Sequence, residues 1–265
     1  MKLTIEITQG DTRKDYNDIM REVEFITIPD NPFGKAGPSS IPMAYILKKR
    51  YGVKAIGTIN TRDRNRPGII SEILAALEMQ LDGLFVVSGD YSSKFKEVRE
   101  IDVFQLLSLI KKYRYEYGSD MLIGATINLS RQNEIRFVKK KIENGADFFI
   151  SQAIYDENYI KNNEWIKYLA VPVFAGFMPI FSKRMISFYK KGINISNEIE
   201  KRMLESKDLF QENLKIFSSI LEKTRDYVEG YHIMPLGNVE FVYAIKRMVK
   251  KNEKDASIWN FSKVR

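Results

Sequence analysis

The chain has 265 residues and a mass of 30.9 kDa; 44% of its residues are hydrophobic and 29% charged, the profile of a globular chain with one large domain or two small ones. It has no cysteine and a single histidine, His232, which excludes disulfides, thiol nucleophiles and a His-rich metal site, and argues against a Ser-His-Asp triad. Lys and Arg number 42 against 34 Asp and Glu, a net charge of +8 that suits an anionic small molecule or nucleic acid unless it is simply a solvated lysine face.

Along the chain, Met1 and Lys2 lead straight into "KLTIEIT" (2–8), a short β-type run with no signal-peptide core before it. No run approaches the roughly 18 apolar residues of a membrane span, so the expected compartment is the cytoplasm. A second run, "EFITIP" (24–29), precedes a helical pattern at 39–52 with a Ser cap and a terminal Gly. "VKAIGTIN" (53–60) is followed by a helix over 66–83, with Pro at its start and Gly at its stop. Then come "GLFVVSG" (83–89) and "MLIGATIN" (121–128), with Tyr113, Tyr115 and Tyr117 near a helix end between them, read as packing residues. A helix over 134–146 alternates apolar and basic positions and leads into "DFFISQ" (147–152). After "VPVFAGFMP" (171–179), the stretch 195–230 is long enough to break into two helices. "YHIMPL" (231–236) and a last helical pattern at 238–251 close the series. Residues 251–265 form a C-terminal extension, docked on the rest by Trp259 and Phe261.

Eight β-type runs, apolar almost throughout, are expected of strands buried on both faces. Alternating with helices over about 250 residues, they predict a single-domain α/β fold, a (β/α)8 TIM barrel spanning 1–250. The alternative, an open doubly wound sheet, would carry a GxGxxG after its first strand, and none follows here.

Barrels of this kind carry their chemistry at the C-terminal ends of the strands. Those ends hold Glu6; Asp30 and Asn31; Thr58, Asn60 and "TRDRNRPG" (61–68); Ser88, Gly89 and Asp90; Thr126 and Asn128; Ser151 and Gln152; Gly237 and Asn238. Amides and carboxylates in a ring suit a heterocycle with fixed donors and acceptors. Each candidate has a plainer rival. Glu6 could be an exposed strand end and Asp90 a helix cap. Gln152 could be a structural amide and His232 a locally bonded core residue. "RDRNR" could be a salt-bridged loop or an anion clamp.

Four stretches, "IEITQGDT" (5–12), "FVVSGDY" (85–91), "ENGADFFISQAIYD" (143–156) and "VPVFAGFMPIFSKR" (171–184), together resemble the methylenetetrahydrofolate reductase family. "ITIPDN", "TRDRN" and "GYHIMPLGNVEFV" are similar to the branch fused to a homocysteine methyltransferase. The resemblance implies a flavin-binding barrel in one-carbon and methionine metabolism. It would reduce 5,10-methylene-tetrahydrofolate, or a modified tetrahydropterin, to the 5-methyl form. By residue, it implies Glu6 as the acid that opens the methylene bridge, Asp90 beside flavin and pterin, and Gln152 contacting the folate and, in turn, the nicotinamide. It further implies Asp30, Thr58, Ser88, Gly89, Asn128, Lys140 and Lys141 on the flavin side, and Asn238 on the substrate side. Ser88, Thr58 and Thr126 depart from the family's Arg, His and aromatic at those places, which leaves FAD, FMN or no tightly bound flavin open. The donor is NADH or NADPH. The alternatives are a flavin-independent or partner-dependent reductase and a catalytically silent folate-binding subunit. Homo-oligomerisation is compatible with exposed barrel helices; no nucleic-acid, membrane or metal partner is expected.

Overall fold

The computed structural model describes residues 1–189 and 195–261, without the side chains of Phe188 and 251–261. Eight parallel strands close into a barrel in chain order: β1 (Lys2–Glu6), β2 (Ile26–Ile28), β3 (Ala55–Asn60), β4 (Gly83–Val87), β5 (Leu122–Ile127), β6 (Phe148–Ala153), β7 (Val173–Phe177) and β8 (Gly230–Ile233). β8 pairs with β1, in register Thr4 with His232, which closes the ring and leaves no sheet edge. The predicted (β/α)8 barrel is thus the observed fold.

Helices wrap the barrel: α1 (Asn17–Met20), α2 (Ser40–Tyr51), α3 (Arg66–Glu78), α4 (Val103–Glu116), α5 (Glu134–Glu143), α6 (Asn158–Lys161), α7 (Lys183–Tyr189), α8 (Asn197–Glu205), α9 (Leu209–Thr224) and α10 (Val239–Phe261). The long stretch after β7 does break into two helices, each started by a side-chain cap: Ser196 accepts from the N–H of Ile199, Asp208 from that of Gln211. Asp102 and Gln105 form a reciprocal capping box at the start of α4. Helix α10 runs unbroken through Lys250 to Phe261; the docking of Trp259 and Phe261 lies outside the described residues.

Some local expectations change. Ser39 stands at the N-cap position of α2, but its hydroxyl donates to Glu72 instead of the helix. Helix α3 stops at Glu78, and Gln80, not Gly83, takes the left-handed conformation that turns the chain (φ 51°). Tyr115 and Tyr117 are exposed, whereas Tyr113 packs against the core.

Two packed regions fill the molecule. The larger lies between the strands and the helices. The smaller, Phe25, Ile56, Phe85, Phe148, Ile150 and Phe174, fills the barrel interior with rings 5.2–6.3 Å apart. Its bulk explains Gly124 on β5, where any Cβ would overlap Phe148 and Phe85. On the β8–β1–β2 side the interior is polar instead. His232 lies buried between Thr4, 2.8 Å from its Nδ1, and Thr27, 3.4 Å from its Nε2. It is a locally bonded core histidine, and burial pushes its pKa down to about 3.

Candidate active site

Side chains alternate along a strand, so Thr4 and Glu6 share the inward face of β1. Thr4 holds His232 inside the barrel; Glu6, two residues on, reaches the open mouth. It is half-buried there. Burial first, and the charge of Asp90 second, raise its pKa to about 7. A carboxyl so tuned is part protonated at neutral pH and can donate a proton. The strand end is therefore not a solvated one. Tyr189, at the end of α7, is a neighbour: its phenol is held above its usual pKa by burial and then by Glu6.

Asp90 is exposed after β4 and does not cap α4, whose cap is Asp102, twelve residues later. Its Oδ2 accepts from the backbone N–H of Phe33 at 2.7 Å. That bond fixes a strained loop between β2 and α2, in which Asn31 (φ 49°) and Phe33 (φ 57°) both take left-handed backbone conformations. Next to them, Gly34 (φ 67°) lies so close to the Tyr91 carbonyl oxygen that a Cβ would overlap it.

The run "RDRNR" is a salt-bridged loop. Buried Arg62 bonds Asp63 through Nε and Nη2, at 2.6 and 2.9 Å. Arg64 forks onto both oxygens of Asp30, at 2.6 and 3.0 Å. Asn60 adds its N–H and amide to the same Asp30 oxygen. Asp30 is thus buried with both oxygens partnered inside the protein. Gly89 (φ 86°) lets the chain after β4 lie directly on Arg62: a Cβ there would come within 2.8 Å of the arginine Cβ.

Beside the mouth, a cavity of about 430 Å³ opens between the loop after β4 and α5. Thr61, Ser88, Thr126, Arg99, Arg131, Lys141 and the carboxylate of Asp102 supply its polar lining, with Phe104 and Phe137 among its apolar walls. Lys141 is buried, donates to the Thr126 carbonyl at 2.5 Å and stands 4.0 Å from Glu134. Burial holds its pKa below the ordinary lysine value, against the pull of Glu134. Lys140 lies outside, its ammonium 4.1 Å from the centre of the Phe104 ring. A larger cavity, about 520 Å³, lies at the opposite end of the barrel among Val173, Asp226 and Tyr227; it touches none of the strand ends just described.

The structure brings Glu6, Asp90 and Tyr189 into electrostatic contact, and Thr58 lies buried on β3. Gln152 is exposed at the end of β6, where an extra residue between Ile150 and Ala153 bulges the strand against β7. Two candidates have local structural roles. The Asn128 side chain accepts from Ser130 in a turn, and Asn238 caps α10 by accepting from the N–H of Phe241. Sequence reasoning missed Phe33, Tyr189, Arg99 and Phe104. The capping box could have placed Phe104 on a helix start; nothing local to "NPFG" announces an aromatic held in a left-handed backbone.

A family model described as methylenetetrahydrofolate reductase matches residues 15–250. "Methylenetetrahydrofolate reductase 2" of Schizosaccharomyces pombe is 22% identical over 237 residues, which cover 77% of this chain and 37% of that protein. The chain therefore spans little more than a third of that curated relative's length. Among solved structures, oxaloacetate acetylhydrolase in complex with the product oxalate superposes with a TM-score of 0.56 at 10% identity, over 96% of this chain and 81% of that one. 2,3-Dimethylmalate lyase gives 0.55 at 11% identity, over 96% and 83%. At such identities these two share the barrel fold alone.

Proposed function

The chain belongs to the methylenetetrahydrofolate reductase family, and from that membership we propose that it reduces 5,10-methylene-tetrahydrofolate, or a related methylene-tetrahydropterin, to the 5-methyl form. In this reading a flavin, FAD in the first place, supplies the hydride once NADH or NADPH has reduced it.

The observation that carries the reading is Glu6, a carboxyl with a pKa of about 7 at the mouth end of β1. Its proton goes to the bridging nitrogen of the substrate's five-membered ring. The bond from that nitrogen to the methylene carbon breaks, and its electron pair stays on the nitrogen. The one-carbon unit is left cationic and ready for hydride. Asp90 serves twice: its charge adds to burial in favouring the protonated form of Glu6, and then stabilises the developing cation. Gln152 offers an exposed amide to the folate.

The residues beside the mouth suit a phosphate-bearing dinucleotide. Three cations, Arg99, Arg131 and Lys141, line one cavity with Phe104 and Phe137, and Lys140 sits over Phe104 at its rim. Lys141 and Lys140 would meet the phosphates, with Thr58, Ser88 and Gly89 toward the ring system. The test is a spectrum of the purified protein. A flavin absorbing at about 450 nm, bleached by NADH or NADPH and restored by 5,10-methylene-tetrahydrofolate, is the expected result. Turnover by a colourless protein would instead favour direct hydride transfer from the nicotinamide. Folate binding without turnover would favour a silent subunit.

A further inference from the structure

Among the charged groups that line the cavity beside the mouth, Arg99 differs in its partner. Lys141 is buried and donates to the Thr126 carbonyl; Arg131 lies 3.4 Å from Glu134, its guanidinium over the Phe137 ring. Asp102 caps α4 by accepting from the N–H of Gln105. Arg99 instead forks onto Glu97, two residues back, at 2.5 and 3.1 Å. Both side chains of that pair are open to solvent, where an ion pair contributes little and is readily exchanged.

The backbone under this pair is fixed. The N–H groups of Val98 and Arg99 both donate to the Arg62 carbonyl, at 2.7 and 3.4 Å, and Arg99 holds a φ of 43°. Glu100, the next residue, accepts from the N–H of Arg66 at the start of α3. A change of partner at Arg99 is therefore a matter of side chains.

Arg62, beneath the same backbone, has a complementary defect. Its Nε and Nη2 hold Asp63, but its Nη1 is buried and meets no acceptor among the described residues. A buried donor without a partner is costly, and an acceptor brought to it removes that cost. Asn31 and Asn60 also donate to Asp63, so Arg62 has capacity for a second carboxylate. Glu97 already lies within its field: the bond from Arg99 first, and then the charges of Arg99 and Arg62, hold its carboxyl below the ordinary range against the opposing charge of Asp63.

We propose that Glu97 is the stand-in for a phosphate of the bound flavin: on binding, Arg99 turns its fork from Glu97 to the phosphate, and Arg62 takes the released carboxylate at Nη1. The proposal rests on the flavin reading given above and adds to it the exchange that readies the cavity. Charge stays balanced throughout, since Arg99 keeps an anion and Arg62 gains one. Arg131 and Lys141 favour the phosphate from the other walls. Arg99 is a binding residue in this scheme; Glu97 and Arg62 are positioning residues.

The experiment is a titration of the flavin-free protein with FAD and with FMN, read by flavin fluorescence, with a melting curve for each variant. The variants are Glu97→Gln, Arg99→Gln and Arg62→Lys, and Glu97→Gln combined with each of the other two. Glu97→Gln should bind about two- to fivefold tighter, because no surface ion pair has to be broken. Arg99→Gln should bind about tenfold weaker or more. With Arg99→Gln present, the gain from Glu97→Gln should vanish, since no fork is left to release. Arg62→Lys should bind about two- to fivefold weaker, because one ammonium cannot hold Asp63 and receive Glu97 together; Glu97→Gln should cancel that loss. Glu97 and Arg99 are exposed, so their cycle decides the question even where Arg62→Lys melts early. Wild-type affinity in Glu97→Gln or Arg99→Gln, an undiminished gain in their double variant, or a loss in folded Arg62→Lys that Glu97→Gln leaves in place, overturns the exchange. Failure of wild type and Glu97→Gln alike to bind either flavin fails the flavin reading instead, and so the two failures are distinct.

Discussion

Asp90 adds to burial in raising the pKa of Glu6 to about 7 while its own Oδ2 accepts from the N–H of Phe33. The two carboxyls come from β1 and from the chain after β4, so the coupling exists only when the barrel is closed. Asp90→Asn removes the charge but keeps an oxygen for Phe33. The expected result is a pH–activity profile whose alkaline limb moves to lower pH, with the melting temperature little changed. An unmoved limb would mean that burial alone sets the pKa of Glu6.

Burying Glu6 has a stability consequence of definite sign. Its folded pKa, about 7, lies above the ordinary 4.5, so the folded state binds the extra proton between those values. Stability from this group is full below pH 4.5 and is lost as pH rises through 7. Glu6→Gln should therefore raise the unfolding free energy by about 1–3 kcal/mol at about pH 8 and by much less at about pH 4. Denaturant titrations at the two pH values check it; an equal effect at both would contradict the raised pKa.

His232 works in the opposite sense. Its folded pKa, about 3, lies below 6.5, so the unfolded chain takes up the proton first. The protein should lose stability as pH falls from 6.5 toward 3, and His232→Gln should flatten that slope. Melting temperatures of both proteins across this range decide it. An unchanged slope would assign the acid loss to other groups.

The Arg64–Asp30 fork predicts the cost of breaking the loop after β3. Asp30 is buried, and Arg64→Ala would leave its charge without the guanidinium, a loss of about 3 kcal/mol or more. Arg64→Lys should recover only part of it, since an ammonium cannot fork. Urea denaturation of the two variants gives the comparison; a loss under about 1 kcal/mol for Arg64→Ala would show that Asn60 alone satisfies Asp30.

Much of this arrangement was legible from residue order, and the parts that were not have physical reasons. Strands buried on both faces must be apolar throughout, so all eight stood out as runs, and counting them put Glu6 on the mouth. Segments whose structure depends on partners far along the chain gave no local signal. "RDRNR" is a loop of ion pairs because Asp30 lies under it, 34 residues before Arg64. Phe33 adopts a glycine-like backbone because Asp90, 57 residues on, holds its N–H. Asn238 and Asn128 were legible as strand-end amides, yet each is bonded within its own turn or helix start. Ser39 shows the same limit at a helix start, where Glu72 competes for the hydroxyl.

The assignment of Glu6 as proton donor is tested by a single-turnover experiment with Glu6→Gln. The protein is first reduced by NADH or NADPH, then mixed with 5,10-methylene-tetrahydrofolate. A positioned acid contributes about 10²–10⁴-fold, so reoxidation by the folate should slow by that factor while reduction by the nicotinamide keeps its wild-type rate. Reoxidation within about tenfold of wild type would remove Glu6 from the proton-transfer step.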